Sequence, residues 1–164
     1  MLVRKLTVCE KFLSTLVLMT ITSTAFQDND FIPVEYGYDG RNINPPLTFS
    51  EVPTEAKSLV LIVEDPDAPS GTFTHWILYN ISPATLQIME GELPIGAEQA
   101  TNDYETRAYG GPRPPDGTHR YFFKLFALDT KLDEVQPEDR REDVYEAMDG
   151  HIIEQAELIG RYAA

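Results

Sequence analysis

Cysteine and basic residues are scarce in this sequence. Only one of the 164 residues is a cysteine, Cys9, so an intramolecular disulfide and a zinc site built from several cysteines are both excluded. Lys and Arg together number 13 against 27 Asp and Glu, which gives a formal net charge of −14. Because a surface of this sign repels phosphate backbones and anionic bilayers, we do not expect nucleic acid or a bilayer to bind through a basic patch.

Long apolar runs are also missing. Residues 12–21 are largely apolar, but they are too few and too interrupted to span a membrane. Arg4 and Lys5 precede them and a small-residue pattern ending at Ala25 follows, so this stretch resembles a secretory signal. A signal peptide over residues 1–25 would place the protein in a secreted or periplasmic location.

A second interpretation treats Met19 as the true start. Residues 20–22 alternate as a β-strand does, and removal of a signal peptide would take them out of the fold. We favour this interpretation, with residues 1–18 as an N-terminal extension, residues 19–164 as the domain, and a cytoplasmic location.

Three segments have the composition of β-strands, residues 58–63, 75–81 and 120–128. They are rich in β-branched or aromatic residues and are separated by turn-forming Gly, Pro and Asp. The first is a continuous apolar run, which favours a strand covered on both faces of its sheet. Twelve prolines indicate a rigid, loop-rich β architecture rather than a helical bundle.

One helix is predicted near the C-terminus. Pro137 suits its first turn, Val144 and Met148 recur at helical spacing, and Gly150 is a suitable stop. Residues 152–162 fit a helix or a strand equally well by periodicity.

The first candidate site is the loop that follows residue 63. Asp65 and Asp67 stand beside Pro66 and Pro69, so two carboxylates are presented in one stiff geometry. Taken alone, this pattern fits an ordinary acidic turn as well as a binding site.

The second candidate is the Gly- and Pro-rich loop that leads into the third strand. Its glycines allow the backbone to approach a ligand closely. Strand alternation after the loop places His119 and Tyr121 on one face and Arg120 on the other. We therefore expect His119 and the Tyr121 hydroxyl to face one ligand, and Arg120 to pair with Asp65 or Asp67.

His75 begins the strand that follows the acidic loop. It and His119 are two of the three histidines in the chain, and both stand beside rigid loops. A single histidine is more often structural than functional, but two in this setting favour a shared pocket.

Together these segments resemble the paired signatures of the phosphatidylethanolamine-binding (Raf kinase inhibitor-like) family, in its compact YbhB/YbcL form. The resemblance rests on D-P-D-A-P at 65–69, H-W-I-L-Y-N at 75–80 and G-P-R-P-P-D-G-T-H-R-Y-F-F at 111–123. It extends from about Met19 to Tyr162. The fold it implies is a mostly-β sandwich, with a large antiparallel central sheet, a smaller sheet and short helices at one end.

The resemblance also implies a small pocket for phosphate-type anions. By position, its ligand-binding residues are Asp65, Asp67, His75, Gly111, Pro112, His119 and Tyr121, with Arg113 and Arg120 in support. Imidazole, phenol and backbone N–H groups donate to phosphate oxygens, whereas the two carboxylates are expected to orient the histidines and Arg120. A carboxylate beside a histidine would also raise its pKa and favour the cationic form. Neither a metal nor another cofactor is expected.

Two positions depart from the family pattern. Where compact members often carry cysteine, this sequence has Tyr38 and Arg113. Arg113 either adds a cation at the pocket rim or pairs with surface acids.

The function that the resemblance implies is non-catalytic binding of a phospholipid head group or a phosphorylated small molecule, with modulation of a protein kinase or protease as a further expectation. The alternative is a small hydrolase with His and Asp as general acid and base, whose metal-dependent form would use His75, His119 and Asp67. Against it, the domain has neither a cysteine nor a Gly-x-Ser-x-Gly nucleophile motif. The oligomeric state stays open between a monomer and a homodimer.

Overall fold

The computed structural model describes residues 16–164. This part of the chain contains nine strands and one α-helix. The strands are β1 Thr20–Thr22, β2 Asp30–Phe31, β3 Leu47–Ser50, β4 Ser58–Asp65, β5 Phe73–Ile81, β6 Gln87–Ile88, β7 Glu98–Gln99, β8 Thr118–Leu128 and β9 Ile152–Ala163. The helix, α1, spans Arg141–Met148, and a 3-10 turn covers Val34–Tyr36.

The strands form two sheets, as the resemblance implies. The large sheet has six strands in the order β2-β9-β8-β4-β5-β7, and its pairs are antiparallel except for β2 with β9. The small antiparallel sheet has the order β1-β3-β6. The predicted mostly-β sandwich is therefore confirmed, with one α-helix in the described residues where short helices were expected.

β4 lies inside the large sheet and is buried along its whole length. Leu59, Leu61 and Val63 belong to the main hydrophobic cluster, which joins this sheet to the small one. The alternate residues Val60 and Ile62 belong to a second cluster, to which α1 contributes. Burial on both faces explains why residues 58–63 form a continuous apolar run instead of an alternating one.

The helix begins later than its sequence pattern predicts. We placed Pro137 in the first turn, but α1 starts at Arg141. Before it, the Asp139 N–H donates to the Gln136 carbonyl oxygen at 3.0 Å, and the Gln136 N–H donates to the Asp139 carboxylate at 2.8 Å. This side chain stabilises a local turn in competition with the helical hydrogen bonds, so the helix starts after it. The predicted stop at Gly150 agrees with its φ of 78° just beyond the helix.

A strand lies close to each end of the described chain. The ambiguous segment 152–162 is β9, which pairs with β8 from Ile152 to Ala163. The strand predicted at residues 20–22 is confirmed as β1. Residues 1–15, on which most of the signal-like pattern and the predicted extension fall, lie outside the described residues. Within residues 16–164, no helix combines the length and apolar character that a bilayer crossing requires.

The two faces of β8 offer a direct test of this architecture. Phe123 is fully buried in the main cluster, whereas the adjacent Phe122 is half-buried on the opposite face, near Arg120 and Lys124. We expect Phe123→Ala to lower the free energy of unfolding by about 3–5 kcal/mol, because it leaves a cavity in the sandwich core. Phe122→Ala is the matched control, with a clearly smaller expected loss in urea denaturation. Equal losses for the two variants would contradict the assignment of the faces.

Candidate functional site

The candidate site is a cavity of about 190 Å³ where the end of β4, the start of β5 and the start of β8 meet. Two loops, residues 66–72 and 100–117, complete its wall. Its polar and aromatic lining consists of Asp65, Phe73, His75, Tyr104, Arg113 and Tyr121. The structure therefore brings together three of the seven residues predicted to bind ligand, with Arg113 at the rim.

Asp65 and His119 form a buried pair beside this cavity. The Nδ1 atom of His119 lies 2.7 Å from Oδ2 of Asp65, and both side chains are less than a tenth exposed. Because a carboxylate oxygen accepts, Nδ1 carries the hydrogen. The second Asp65 oxygen accepts the Asp67 N–H at 2.8 Å. The expectation that one carboxylate orients a histidine is thus confirmed for His119, which stands behind Asp65 rather than on the cavity wall.

Asp67 turns away from the cavity and pairs with Arg120. The Nε and Nη2 atoms of Arg120 each lie 2.9 Å from a different Asp67 oxygen, and the Arg120 backbone N–H donates to the same carboxylate at 3.0 Å. This bidentate contact lowers the pKa of Asp67 to about 2. The predicted pairing of Arg120 with one of the two acids is confirmed, and Asp67 has an orienting role at the surface.

His75 is held by a main-chain carbonyl, not by a carboxylate. Its Nδ1 lies 2.7 Å from the Gly110 carbonyl oxygen, and its ring contacts Phe73, Tyr104 and Tyr121 at centroid distances of 5.0, 5.5 and 5.1 Å. Burial lowers the pKa of His75 below its ordinary value, although the Gly110 carbonyl and the more distant Asp65 oppose the shift. The cationic form that we expected of a pocket histidine is therefore not favoured at this position.

A β-bulge places His75 in the site. Val63 pairs with Trp76 and Glu64 pairs with Thr74, so His75 is the extra residue between them. In regular alternation, His75 would share the face of Ile77, which packs in the second cluster. The bulge instead lets its ring reach Tyr121, which belongs to the main cluster.

The Tyr121 hydroxyl is the most unusual atom of the site. Tyr121 is 1% exposed, and its oxygen is the one fully buried side-chain polar atom in residues 16–164 without a hydrogen-bond partner. Burial raises the pKa of this phenol, as does the nearby negative charge of Asp65. The Arg113 backbone, which is near but outside hydrogen-bond geometry, opposes the shift without reversing it, so the hydroxyl keeps its proton. Tyr121 lines the cavity with its hydroxyl just beneath the accessible surface, where the group lacks an acceptor.

Gly111 and Pro112 support the site from behind. The Gly111 N–H donates to Oδ1 of Asn42 at 2.7 Å, so it is not free to bind an anion as we had expected. A Cβ on Gly111 would lie 2.4 Å from the Tyr36 carbonyl oxygen, so only glycine fits there. The Pro112 carbonyl oxygen accepts the Tyr38 N–H at 2.9 Å. Neither residue lies on the cavity wall.

Arg113 combines both of the roles left open for it. It lines the cavity rim, and its guanidinium also lies 3.2 Å from Asp39 and stands over the Tyr38 ring at 5.1 Å. The two positions at which the sequence departs from the family pattern are thus in contact with each other. Because both ion-pair partners are more than half exposed, the guanidinium can turn between Asp39 and a ligand at little cost.

Sequence reasoning missed Phe73 and Tyr104, which form much of the cavity wall. Tyr104 stacks on Tyr38 at 4.6 Å and donates to the Gly111 carbonyl oxygen at 3.1 Å. Its loop is organised by the buried Asn102, whose side chain donates to the carbonyl oxygens of His75 and Ala108. No local pattern marks such a contact. The one available signal for Phe73 was its position two residues before His75.

Larger depressions lie elsewhere on the surface. One of about 600 Å³ runs along Phe31, Val34 and Tyr162 and shares Arg113 with the cavity, and another of about 320 Å³ lies beside Tyr145 of α1. Neither contains a histidine or the unpartnered hydroxyl, so size alone does not identify the site. Within the part of the chain that the structure describes, no three His, Cys, Asp or Glu side chains are grouped to hold a metal ion. The alternative metal set is not assembled, because Asp67 is paired with Arg120.

The family model described as phosphatidylethanolamine-binding protein matches residues 22–163. The chain belongs to this family. It is 51% identical over 149 residues to a UPF0098 protein of Methanothermobacter thermautotrophicus, an alignment that covers 88% of this chain and 98% of the relative. A UPF0098 protein of Chlamydia trachomatis is 48% identical over 149 residues, with the same 88% and 98% coverage.

Solved structures agree with this membership in the phosphatidylethanolamine-binding family. A Chlamydia trachomatis protein described as a homologue of phosphatidylethanolamine-binding protein superposes with a TM-score of 0.85 at 47% identity, over 90% of this chain and 98% of that one. Escherichia coli YbcL, described as a new member of the mammalian family, gives a TM-score of 0.85 at 29% identity, over 90% and 99%. The resemblance drawn from the three motifs is confirmed.

The Asp67–Arg120 contact predicts a pH-dependent contribution to stability. Since the folded-state pKa of Asp67 is lowered to about 2, its contribution is fully present above the unfolded value near 4 and is lost as the pH falls through about 2. We expect Asp67→Asn to be less stable than the wild type at pH 6, with the difference shrinking between about pH 4 and 2. Asp116→Asn is the control, because exposed Asp116 has no ion pair within residues 16–164. A constant difference across this range in urea denaturation would count against the contact.

The buried pair predicts a different mutational pattern. His119→Ala removes one of the two donors to the buried Asp65 carboxylate, and we expect the free energy of unfolding to fall by about 1.5–3 kcal/mol. His119→Asn keeps an N–H group near the Nδ1 position, so most of this loss should be avoided. Urea denaturation of both variants near pH 7 tests this. Equal losses would show that the hydrogen bond to Asp65 does not determine the effect.

Proposed function

We propose that this protein binds small phosphate-type anions in the cavity between His75 and Tyr121, without chemical change to the ligand. One observation carries the proposal. A phenol hydroxyl lies buried in a cavity and has no partner among the described residues. Leaving such a group unpaired costs about 1–3 kcal/mol, so an occupant that accepts its hydrogen bond is strongly favoured.

The size of the cavity suits a head group rather than a whole lipid. At about 190 Å³ it lies below the range of about 300–1,000 Å³ that drug-sized ligands occupy. Aromatic walls from Phe73 and Tyr104 make the surroundings less polar, which strengthens each hydrogen bond formed inside. The free ligand can therefore be a phosphorylated small molecule or the exposed head group of a phospholipid.

Local charge supports an anion despite the acidic composition. Both Asp65 oxygens already accept hydrogen bonds, one from His119 and one from the Asp67 N–H, which reduces their repulsion of an incoming anion. Arg113 at the rim offers a cation. Since the net charge of −14 gives no long-range attraction to anions, binding must rely on these short-range contacts.

Binding without catalysis is the reading that the lining favours. The described residues on the cavity wall include no Ser, Thr or Cys side chain to act as a nucleophile. His75 is oriented by a carbonyl oxygen and His119 by a carboxylate. Such orientation suits a binding site as well as a catalytic site, so it does not by itself favour catalysis. Modulation of a protein kinase or protease stays a prediction of the resemblance.

Two tyrosines with opposite hydrogen-bonding states test the proposal. Tyr121→Phe removes an unpartnered hydroxyl, so we expect stability without ligand to be unchanged or higher and the affinity for O-phosphorylethanolamine to fall by about tenfold or more. Tyr109 is also buried, but its hydroxyl donates to the Tyr36 carbonyl oxygen at 3.1 Å. Tyr109→Phe should therefore lower stability by about 1 kcal/mol and leave binding unchanged.

The measurements are urea denaturation and calorimetric titration of each variant. A Tyr121→Phe variant that binds as tightly as the wild type would exclude the hydroxyl as a ligand contact. A wild type that binds neither O-phosphorylethanolamine nor inorganic phosphate would overturn the proposed function itself.

A further inference from the structure

The hydrogen bond between His75 and Gly110 fixes which ring nitrogen carries the hydrogen. A carbonyl oxygen only accepts, and it lies 2.7 Å from Nδ1, so Nδ1 is the donor. The other nitrogen, Nε2, then carries a hydrogen only if the ring is cationic. In the neutral ring, Nε2 presents a lone pair.

Nε2 of His75 is also unengaged. Within residues 16–164 the one side-chain hydrogen bond of His75 is through Nδ1, and Nε2 is not closed off from water as the Tyr121 hydroxyl is. It therefore keeps access to the cavity that His75 lines. His75 thus presents a nitrogen acceptor to the cavity, and the Tyr121 hydroxyl, a donor, lies beneath the surface of the same wall.

The groups that face His75 favour its neutral form in the empty site. Phe73, Tyr104 and Tyr121 surround the ring with aromatic surface. The two tyrosine hydroxyls are neutral near pH 7, because burial raises the pKa of Tyr104 to about 12 and that of Tyr121 further. Two carboxylates act on the His75 ring through their negative charge and raise its pKa: Asp65, from β4, and Asp103, from the loop 100–117.

Two further groups belong to this setting. His119 reaches Asp65 from β8 and offsets its charge, and Arg113 stands at the rim with Asp39 as its partner. Among residues 16–164, no carboxylate forms a hydrogen bond with the His75 ring, and burial outweighs the charges around it.

We infer that the site takes a phosphomonoester together with one proton, which lies between a phosphate oxygen and Nε2 of His75. This inference rests on the proposed function and narrows its ligand class to monoesters, because the phosphodiester of a phospholipid head group has no P–OH to donate. A phosphate oxygen without a hydrogen would meet the lone pair of Nε2, which is repulsive. A monoanion with one P–OH donates to Nε2 and still accepts from the Tyr121 hydroxyl with a second oxygen.

Proton uptake follows from the pKa of the free ligand. The second pKa of a phosphomonoester is about 6, so at pH 7.5 most of it is the dianion. The bound state holds one proton that neither free partner carries, and binding should take up about one proton from the buffer. Between pH 7 and 8 the affinity should then fall by about tenfold.

The experiment is calorimetric titration of the protein with O-phosphorylethanolamine at pH 7.5 in two buffers of different ionisation enthalpy. The dependence of the binding enthalpy on the buffer gives the number of protons taken up. Dimethyl phosphate, which has no proton to donate, is the matched probe. We expect it to bind at least tenfold more weakly at pH 6, where the monoester monoanion is abundant.

Two conservative variants distinguish His75 from the other histidine of the site. His75→Asn keeps an N–H group for the Gly110 carbonyl but lacks Nε2, so proton uptake should fall to near zero. His119→Asn keeps an N–H group for Asp65, and its complex should still take up about one proton. The ¹⁵N chemical shift of Nε2 in the wild type gives the same answer without a variant, since it separates a bare nitrogen from a hydrogen-bonded or protonated one.

The outcomes separate the inference from the function beneath it. Saturable binding with no proton uptake, or with uptake that survives in His75→Asn and is lost in His119→Asn, overturns the inference and leaves anion binding intact. Equal affinity for dimethyl phosphate and O-phosphorylethanolamine also overturns it. If neither O-phosphorylethanolamine nor inorganic phosphate binds, the proposed function is refuted, and the inference with it.

Discussion

The alignment of β8 with β4 is the constraint on which the site depends. Glu64 pairs with Phe122 and Val63 with Phe123, which brings the next residue of β4, Asp65, beside the start of β8. Because side chains alternate along a strand, a shift of one residue would turn Tyr121 out of the main cluster and separate Asp65 from His119. The apolar residues of both strands oppose such a shift, since it would also expose Phe123 and Leu125. The stability of the core and the geometry of the site are therefore set by the same pairing.

Within this frame, the site places polar groups where the sandwich is otherwise apolar. Each is engaged by the protein except at the cavity: His119 by Asp65, Asp67 by Arg120, and the Nδ1 atom of His75 by Gly110. Two of the side chains that line the cavity keep an atom without a hydrogen-bond partner among the described residues, the hydroxyl of Tyr121 and Nε2 of His75. In the proposed function, an arrangement held in this way would bind a small anion without first ordering its own side chains, which would lower the entropic cost of binding. The contacts would be short-range, so the net charge of −14 does not argue against them.

Much of this arrangement could be predicted from the sequence, for identifiable reasons. Three of the four long strands, β4, β5 and β8, follow from composition, whereas the periodicity of β9 fits a helix equally well. The separation of Arg120 from its neighbours His119 and Tyr121 follows from alternation alone. The position of His75 does not. It depends on a bulge in the β4–β5 pairing, and no residue of the strand marks the bulge. Tyr104 and the engaged Gly111 N–H were missed because Asn102 and Asn42 organise their loops through contacts distant in the chain. The late start of α1 depends on one side chain, that of Asp139, which bonds a backbone N–H three residues earlier.

The central claim is that an anion enters the cavity between His75 and Tyr121. The most direct measurement is an NMR titration of the histidine ring signals with inorganic phosphate at low salt. The chain has three histidines, and His151 lies at the far end of β8 and β9, paired with Asp129 at 2.8 Å, so it serves as an internal reference. We predict saturable shifts of the His75 and His119 signals while the His151 signal stays in place. Signals of His75 and His119 that do not move at millimolar phosphate, or that move only together with His151, would contradict the account.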